Sequence, residues 1–242
     1  MNILSIGNSF SEDAQRYLSA IAKSEGDDFY TVNLCIGGCS LELHARNIEE
    51  DNAAYTFQEN GVIFDRQISI KDALALADWD VVTIQQVSIR SFVEDSYYPY
   101  IHTVADCVRA NAPGAKLLIH QTWAYEEGSR HVIEVFGEPS SEKMLEKIRV
   151  AYSRAAKEIV ADGIIPSGEL LMMLYKSGIK GLYRDTLHAS FGIGRYAIGL
   201  LWYRSFTGRS VLNNAFTDLD DPATEDELRV AKQCVESFGK II

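Results

Sequence analysis

The sequence predicts an α/β fold built on a mostly parallel sheet with helices packed against it. Strand-length apolar runs alternate with stretches of helical periodicity, and the runs end in polar or glycine-rich punctuation. The third observation is scale. A chain of 242 residues, 47% of them hydrophobic, suffices for one well-buried core, so a single domain over residues 1–242 is expected.

Asn2–Ile6 reads as the first strand, followed by Gly7-Asn8-Ser9 and a helical pattern from about Glu12 to Ser24. Thr31–Ile36 is the second strand, closed by Gly37-Gly38, and Leu41–Ala54 has helical spacing. Tyr55–Gln58 and Val62–Asp65 flank Asn60-Gly61, a two-residue hairpin signal because both residues tolerate the positive φ of a type I′ turn. Asp72–Ala77 reads as a short helix, and Val81–Gln85 as a buried parallel strand. A helix near Tyr98–Asn111 stops before Pro113-Gly114, and Lys116–His120 is the fourth strand. Ser141–Asp162 is a long amphipathic helix capped by Ser140 or Ser141. Gly163–Pro166 is a fifth strand, with helices over Glu169–Lys176, Phe191–Phe206 and Glu225–Phe238.

Charge and composition narrow the function classes. The net charge of −11 disfavours nucleic acid and anionic membranes, which select basic surfaces. The longest apolar stretch, Tyr196–Tyr203, is far short of the roughly 20 residues of a spanning helix. No basic segment followed by an apolar run opens the chain, so no signal peptide and a cytoplasmic location are expected. Cys35, Cys39, Cys107 and Cys234 form neither a zinc-spaced cluster nor a disulfide scaffold, so neither a metal nor another cofactor is expected.

The candidate chemistry gathers at strand ends. Ser9, Gly38, Gln85-Gln86 and His120-Gln121-Thr122-Trp123 follow the first four strands at their carboxyl ends, the edge where open α/β sheets bind ligands. Ser9 has two readings at a strand-to-helix turn: an exposed hydroxyl, or part of a helix start at which Ser9 or Ser11 is the N-cap. Far downstream stands Arg184-Asp185-Thr186-Leu187-His188. An aspartate three residues before a histidine can bond its Nδ1, leaving Nε2 to take a proton from a serine. A surface Asp185 and a structural His188 are the plainer alternative.

Gly7-Asn8-Ser9, Gly38, a polar block after the third strand and Asp185-x-x-His188 occur in the order of a known family. With Gly37-Gly38-Cys39-Ser40-Leu41, Gln121-Thr122-Trp123-Ala124-Tyr125 and Ile165-Pro166-Ser167-Gly168-Glu169, they resemble a little-characterised bacterial branch of the SGNH (GDSL-like) hydrolase superfamily. The resemblance implies a flavodoxin-like three-layer α/β/α sandwich with a five-stranded parallel sheet, order 2-1-3-4-5. It implies Ser9 as nucleophile, His188 as base and then acid, and Asp185 as its support. Backbone N–H groups of Ser9 and Gly38 would form the oxyanion hole.

Two positions depart from the family pattern. Asn8 replaces the usual aspartate before the nucleophile, and Ile84-Gln85-Gln86-Val87-Ser88 replaces a Gly-x-Asn block. A glutamine amide offers the same donor as the missing asparagine, so Gln85 or Gln86 is the expected third oxyanion donor, structural hydrogen bonding being the alternative. His120, Trp123 and Tyr125 are the candidate substrate-binding residues, with core packing the alternative for Trp123. Cys39 as a rival nucleophile lacks an evident histidine partner, and His44 and His102 carry no pattern.

The reading is a cofactor-independent serine esterase acting on small O-acyl groups, such as O-acetyl on a carbohydrate. A lysophospholipase or thioesterase of the same family remains open, though no apolar lid segment is evident. A non-catalytic carbohydrate-binding protein on this fold is the other alternative, and a phosphate or nucleotide binder using Gly7–Ser11 ranks below both.

Overall fold

A computed structural model describes residues 1–242. The chain opens with β1 (Asn2–Gly7), α1 (Ser9–Gln15), α2 (Leu18–Ser24) and β2 (Tyr30–Cys35), where the sequence suggested one helix between the two strands. Next come α3 (Leu41–Glu49), the antiparallel hairpin β3 (Tyr55–Glu59) and β4 (Val62–Ile68), α4 (Ile70–Leu74) and β5 (Val81–Ile84). The second half contains α5 (Tyr100–Asn111), β6 (Lys116–Gln121), α6 (Arg130–Phe136), α7 (Ser141–Glu158) and β7 (Gly163–Pro166). It closes with α8 (Ser167–Lys176), α9 (Ile193–Thr207) and α10 (Glu225–Glu236).

The sheet has seven strands in the order β4-β3-β2-β1-β5-β6-β7, not the five expected. Its parallel part is β2-β1-β5-β6-β7, and the Asn60-Gly61 hairpin supplies the other two strands by pairing antiparallel to β2. A hairpin signal specifies a local turn but not the strand beside which the pair will lie, which accounts for the miscount.

The chain runs from β1 to β2 in one direction and from β5 to β7 in the other. Right-handed crossovers therefore put α1 and α2 on one face and α5 and α7 on the opposite face. The observed packing agrees: α3 and α4 contact α5, whereas α1, α2, α8 and α10 contact α9. Helix α9 is buried all round apart from Arg204 and Thr207, as an apolar helix in the middle of a helical layer should be. No helix is long and apolar enough to cross a membrane.

The order reverses at β1, so the carboxyl ends of β2, β1 and β5 open a crevice at that edge. The loops leaving those strands carry Gly38, Ser9 and the segment after Ile84.

The hairpin turn gives a direct test. Gly61 has φ +77°, and a Cβ there would lie 2.2 Å from the main-chain oxygen of Arg16, whereas Gly26, at φ +79°, faces open space. Gly61→Ala should therefore destabilise by more than the about 1 kcal/mol expected for Gly26→Ala, because it adds a backbone clash to left-handed strain. Parallel denaturant melts of the two variants check the order.

Candidate active site

Helix α1 begins where its cap dictates. Asn8 is extended, at φ −149° and ψ −159°, and its Oδ1 accepts from the Phe10 N–H at 3.0 Å. The cap is thus Asn8, not Ser9 or Ser11, and Ser9 is the first helical residue. At that position the N–H has no intrahelical acceptor, and the Ser9 N–H donates to no other protein group. Gly38 sits in the turn after β2 at φ +65°, and its N–H is likewise without a protein acceptor.

Ser9 Oγ lies 2.8 Å from His188 Nε2, and His188 Nδ1 lies 2.7 Å from Asp185 Oδ2. The other Asp185 oxygen accepts the His188 main-chain N–H at 2.8 Å and the Leu187 N–H at 3.3 Å. Burial pushes the Asp185 carboxyl up, but these hydrogen bonds and the adjacent imidazole outweigh it and hold it below the ordinary carboxylate range. Between Asp185 and Leu187, Thr186 takes a left-handed φ of +71°, and its hydroxyl meets His131 Nδ1 at 2.7 Å.

A cavity of about 360 Å³ opens over this array, lined by Ser9, Gly38, His188 and Ser88, with apolar walls that include Tyr125 and Val135. No group of His, Cys, Asp and Glu is arranged to hold a metal ion.

Over residues 2–236 the sequence matches a family described as a domain of unknown function, DUF4886. The chain belongs to the DUF4886 family. A DUF4886 protein from Bacteroides uniformis, known from its crystal structure, is 31% identical, with a TM-score of 0.91 over 98% of this chain and 93% of its own. A candidate SGNH hydrolase from Slackia heliotrinireducens superposes with a TM-score of 0.61 at 22% identity, covering 84% of this chain and 97% of that one. The psychrotrophic esterase EstA from Pseudoalteromonas sp., inhibited by monoethylphosphonate in its structure, gives 0.50 at 14% identity, covering 82% and 91%. No curated protein matches the sequence. This DUF4886 chain therefore has the fold of the SGNH hydrolases.

Several expected contacts do not form. Gln85 Nε2 donates to Asn8 Oδ1 at 2.7 Å, and Gln85 Oε1 meets His120 Nδ1 at 2.6 Å. Gln86 Nε2 binds the Ser96 carbonyl at 2.9 Å, while its Oε1 accepts the Leu41 and Val87 N–H groups at 3.0 and 2.9 Å. Both glutamines are buried and hold loops together, so neither amide is aimed into the cavity as an oxyanion donor. His120 is fully buried, with Nε2 on Ser167 Oγ at 3.0 Å, and burial lowers its pKa to about 3. Trp123 is also fully buried, stacked on Phe10 at 4.3 Å with its Nε1–H on the Leu187 carbonyl at 2.8 Å. It carries the histidine loop rather than a ligand. Of the three substrate-binding candidates, only Tyr125 reaches the cavity.

Cys39 does have a histidine neighbour, His44 Nδ1 at 3.4 Å, but both side chains are fully buried. Burial pushes the Cys39 thiol up to about 12 and the His44 imidazole down to about 3, so the pair stays a neutral packing contact.

Sequence reasoning missed Asp13, Ser88 and His131. Asp13, on α1, is fully buried, with Oδ1 accepting from Arg184 Nη1 and Arg195 Nε, both at 2.8 Å. Its Oδ2 accepts the Ala189 N–H at 3.1 Å, so one carboxyl group joins the Ser9 helix to both ends of the Asp185–His188 turn. Burial pushes its pKa up, against the pull of Arg195 and then Arg184. The only sequence signal was Arg184 standing beside the Asp-x-x-His motif. Asp13→Ala leaves two guanidinium groups facing an emptied site, and should destabilise by about 3–5 kcal/mol in equilibrium unfolding. Asp185→Ala, at an exposed position, should change stability by less than about 1 kcal/mol in the same assay.

Proposed function

We propose that this protein is a serine esterase that hydrolyses small O-acyl esters through an acyl-enzyme. The reading is carried by one observation, the continuous Ser9–His188–Asp185 hydrogen-bonded array at a cavity mouth. Ser9 Oγ gives its proton to His188 Nε2 as it attacks the ester carbonyl carbon, and Asp185 keeps the proton on Nδ1 and balances the imidazolium. The carbonyl π electrons move to oxygen, which the N–H groups of Ser9 and Gly38 receive at the positive end of α1. Collapse breaks the bond to the alcohol oxygen, which departs with the His188 proton. Water then repeats the sequence on the acyl-enzyme and releases the acid.

The cavity size favours a small acyl group. About 360 Å³ stands near the low end of the roughly 300–1,000 Å³ typical of small-molecule sites. Part of that space must also hold the alcohol, which leaves a short acyl group as the one the cavity can enclose. The mixture of apolar walls with His131 suits a polar alcohol such as a sugar hydroxyl. An esterase of the same fold is inhibited by monoethylphosphonate, which makes a phosphonate the natural probe of the proposed Ser9 chemistry.

Ser9→Ala and His188→Ala should each lower kcat on p-nitrophenyl acetate by about 10⁴-fold or more, and the double variant no further, because nucleophile and base act as a unit. Asp185→Ala should lose less than either. Fluorophosphonate should label the wild-type protein but not Ser9→Ala. Wild-type turnover by Ser9→Ala rejects the nucleophile, and a wild-type protein inert to every short ester and to the probe rejects the reading.

The ionised state of Asp185 shapes the pH profile. A general base works only unprotonated, and Asp185, held below its ordinary carboxylate value, stays ionised and adds no proton of its own to the loss of activity in acid. The acid limb of kcat/KM should therefore be a one-proton step, with activity rising toward higher pH. A two-proton limb contradicts an Asp185 ionised throughout.

A further inference from the structure

The esterase reading gives the oxyanion two main-chain donors, the N–H groups of Ser9 and Gly38 that have no protein acceptor, and the two glutamines that stand where a third would be expected are committed elsewhere. One polar side chain in that same segment remains. Ser88 is only 6% exposed, lies four residues after the end of β5, and lines the cavity with Ser9, Gly38 and His188.

Its hydrogen bonding is one-sided. The Tyr125 hydroxyl donates to Ser88 Oγ at 3.0 Å, and the Ser88 hydroxyl donates to no protein group. A hydroxyl has one proton to give, and here that proton is left to the cavity. A buried donor without an acceptor is costly unless something in the site accepts from it. Two neighbouring donors are already engaged, the Val87 N–H on Gln86 Oε1 and the Tyr125 hydroxyl on Ser88 itself.

We propose that the Ser88 hydroxyl is the third oxyanion donor, with Tyr125 as the positioning residue that orients and polarises it. The inference rests on the esterase reading. As the carbonyl oxygen gains charge in the tetrahedral intermediate, it accepts from Ser88 Oγ–H together with the Ser9 and Gly38 N–H groups. The Tyr125 bond strengthens the Ser88 donor because each link of a hydrogen-bond chain polarises the next. Such a contact matters most when the oxyanion forms, so its loss should appear in kcat rather than KM.

The test measures p-nitrophenyl acetate turnover and fluorophosphonate labelling on the full chain carrying Ser88→Ala, Ser88→Cys, Ser88→Thr or Tyr125→Phe. Loss of one oxyanion donor predicts a kcat drop of about 10²-fold for Ser88→Ala with KM within about threefold. Ser88→Cys, which keeps the size but offers a weak donor, should fall at least about tenfold, and serves if the alanine variant misfolds. Ser88→Thr keeps the hydroxyl and should retain most activity, and Tyr125→Phe should show a smaller kcat loss than Ser88→Ala. A Ser88→Ala or Ser88→Cys protein with wild-type kcat overturns the assignment while Ser9-dependent turnover leaves the esterase reading standing. A fall in activity matched by Ser88→Thr and carried by KM also overturns it, since that pattern marks packing. A wild-type protein that neither turns over ester nor takes the label overturns both.

Discussion

The site depends on a buried carboxyl group that hydrogen-bonds neither Ser9 nor the His188 ring. Ser9 and His188 are far apart in sequence, and their 2.8 Å contact requires α1 and the loop before α9 to be fixed against each other. Asp13 does this through Arg184, Arg195 and the Ala189 N–H, so three segments meet on one side chain. Arg195 extends the cluster to Asp220 at 3.3 Å, and Arg16 reaches the same aspartate at 2.8 Å. Desolvating so many charges is unfavourable, and an apolar cluster of similar volume holds a fold at least as well. What ionic groups add is direction: each hydrogen bond admits one donor orientation, which suits an array whose geometry must be held to tenths of an ångström.

A second layer of support is aromatic. Trp123 stacks on Phe10 and bonds the Leu187 carbonyl, and Phe10 lies 5.6 Å from the His188 ring. The side chain most suggestive of a ligand platform thus braces the histidine loop from below.

Sequence alone made the strand alternation legible, because buried parallel strands announce themselves as apolar runs with polar ends. The Ser9, Gly38 and Asp185-x-x-His188 blocks stood out because they are short, ordered and tied to those ends. What stayed hidden depended on long-range pairing. The hairpin at Asn60-Gly61 was visible, but its docking beside β2 is a tertiary choice. Helix α6 went unread: it has only seven residues, although Ser129 at its cap and Gly137, at φ +89° past its end, were the available marks. That omission concealed His131 and Val135, which α6 brings to the cavity. The glutamine assignments failed for a related reason. Position at a strand end was right, but which way an amide faces is set by partners distant in sequence, namely Asn8, His120 and Ser96.

Those partners give the Asn8–Gln85–His120–Ser167 chain a fixed polarity. A main-chain N–H can only donate, so Phe10 requires the Asn8 oxygen, which requires the Gln85 nitrogen, and the Gln85 oxygen then requires a proton on His120 Nδ1. The Asn8 nitrogen is thereby turned to the Cys39 carbonyl, 3.0 Å away, beside Gly38. An aspartate at position 8 still accepts from Phe10 and Gln85 but sets oxygen against oxygen at Cys39. A charge change at position 8 is therefore felt first at the Cys39 carbonyl beside Gly38, not at Gln85, so the turn after β2 rather than the segment after β5 is what answers to the residue before Ser9.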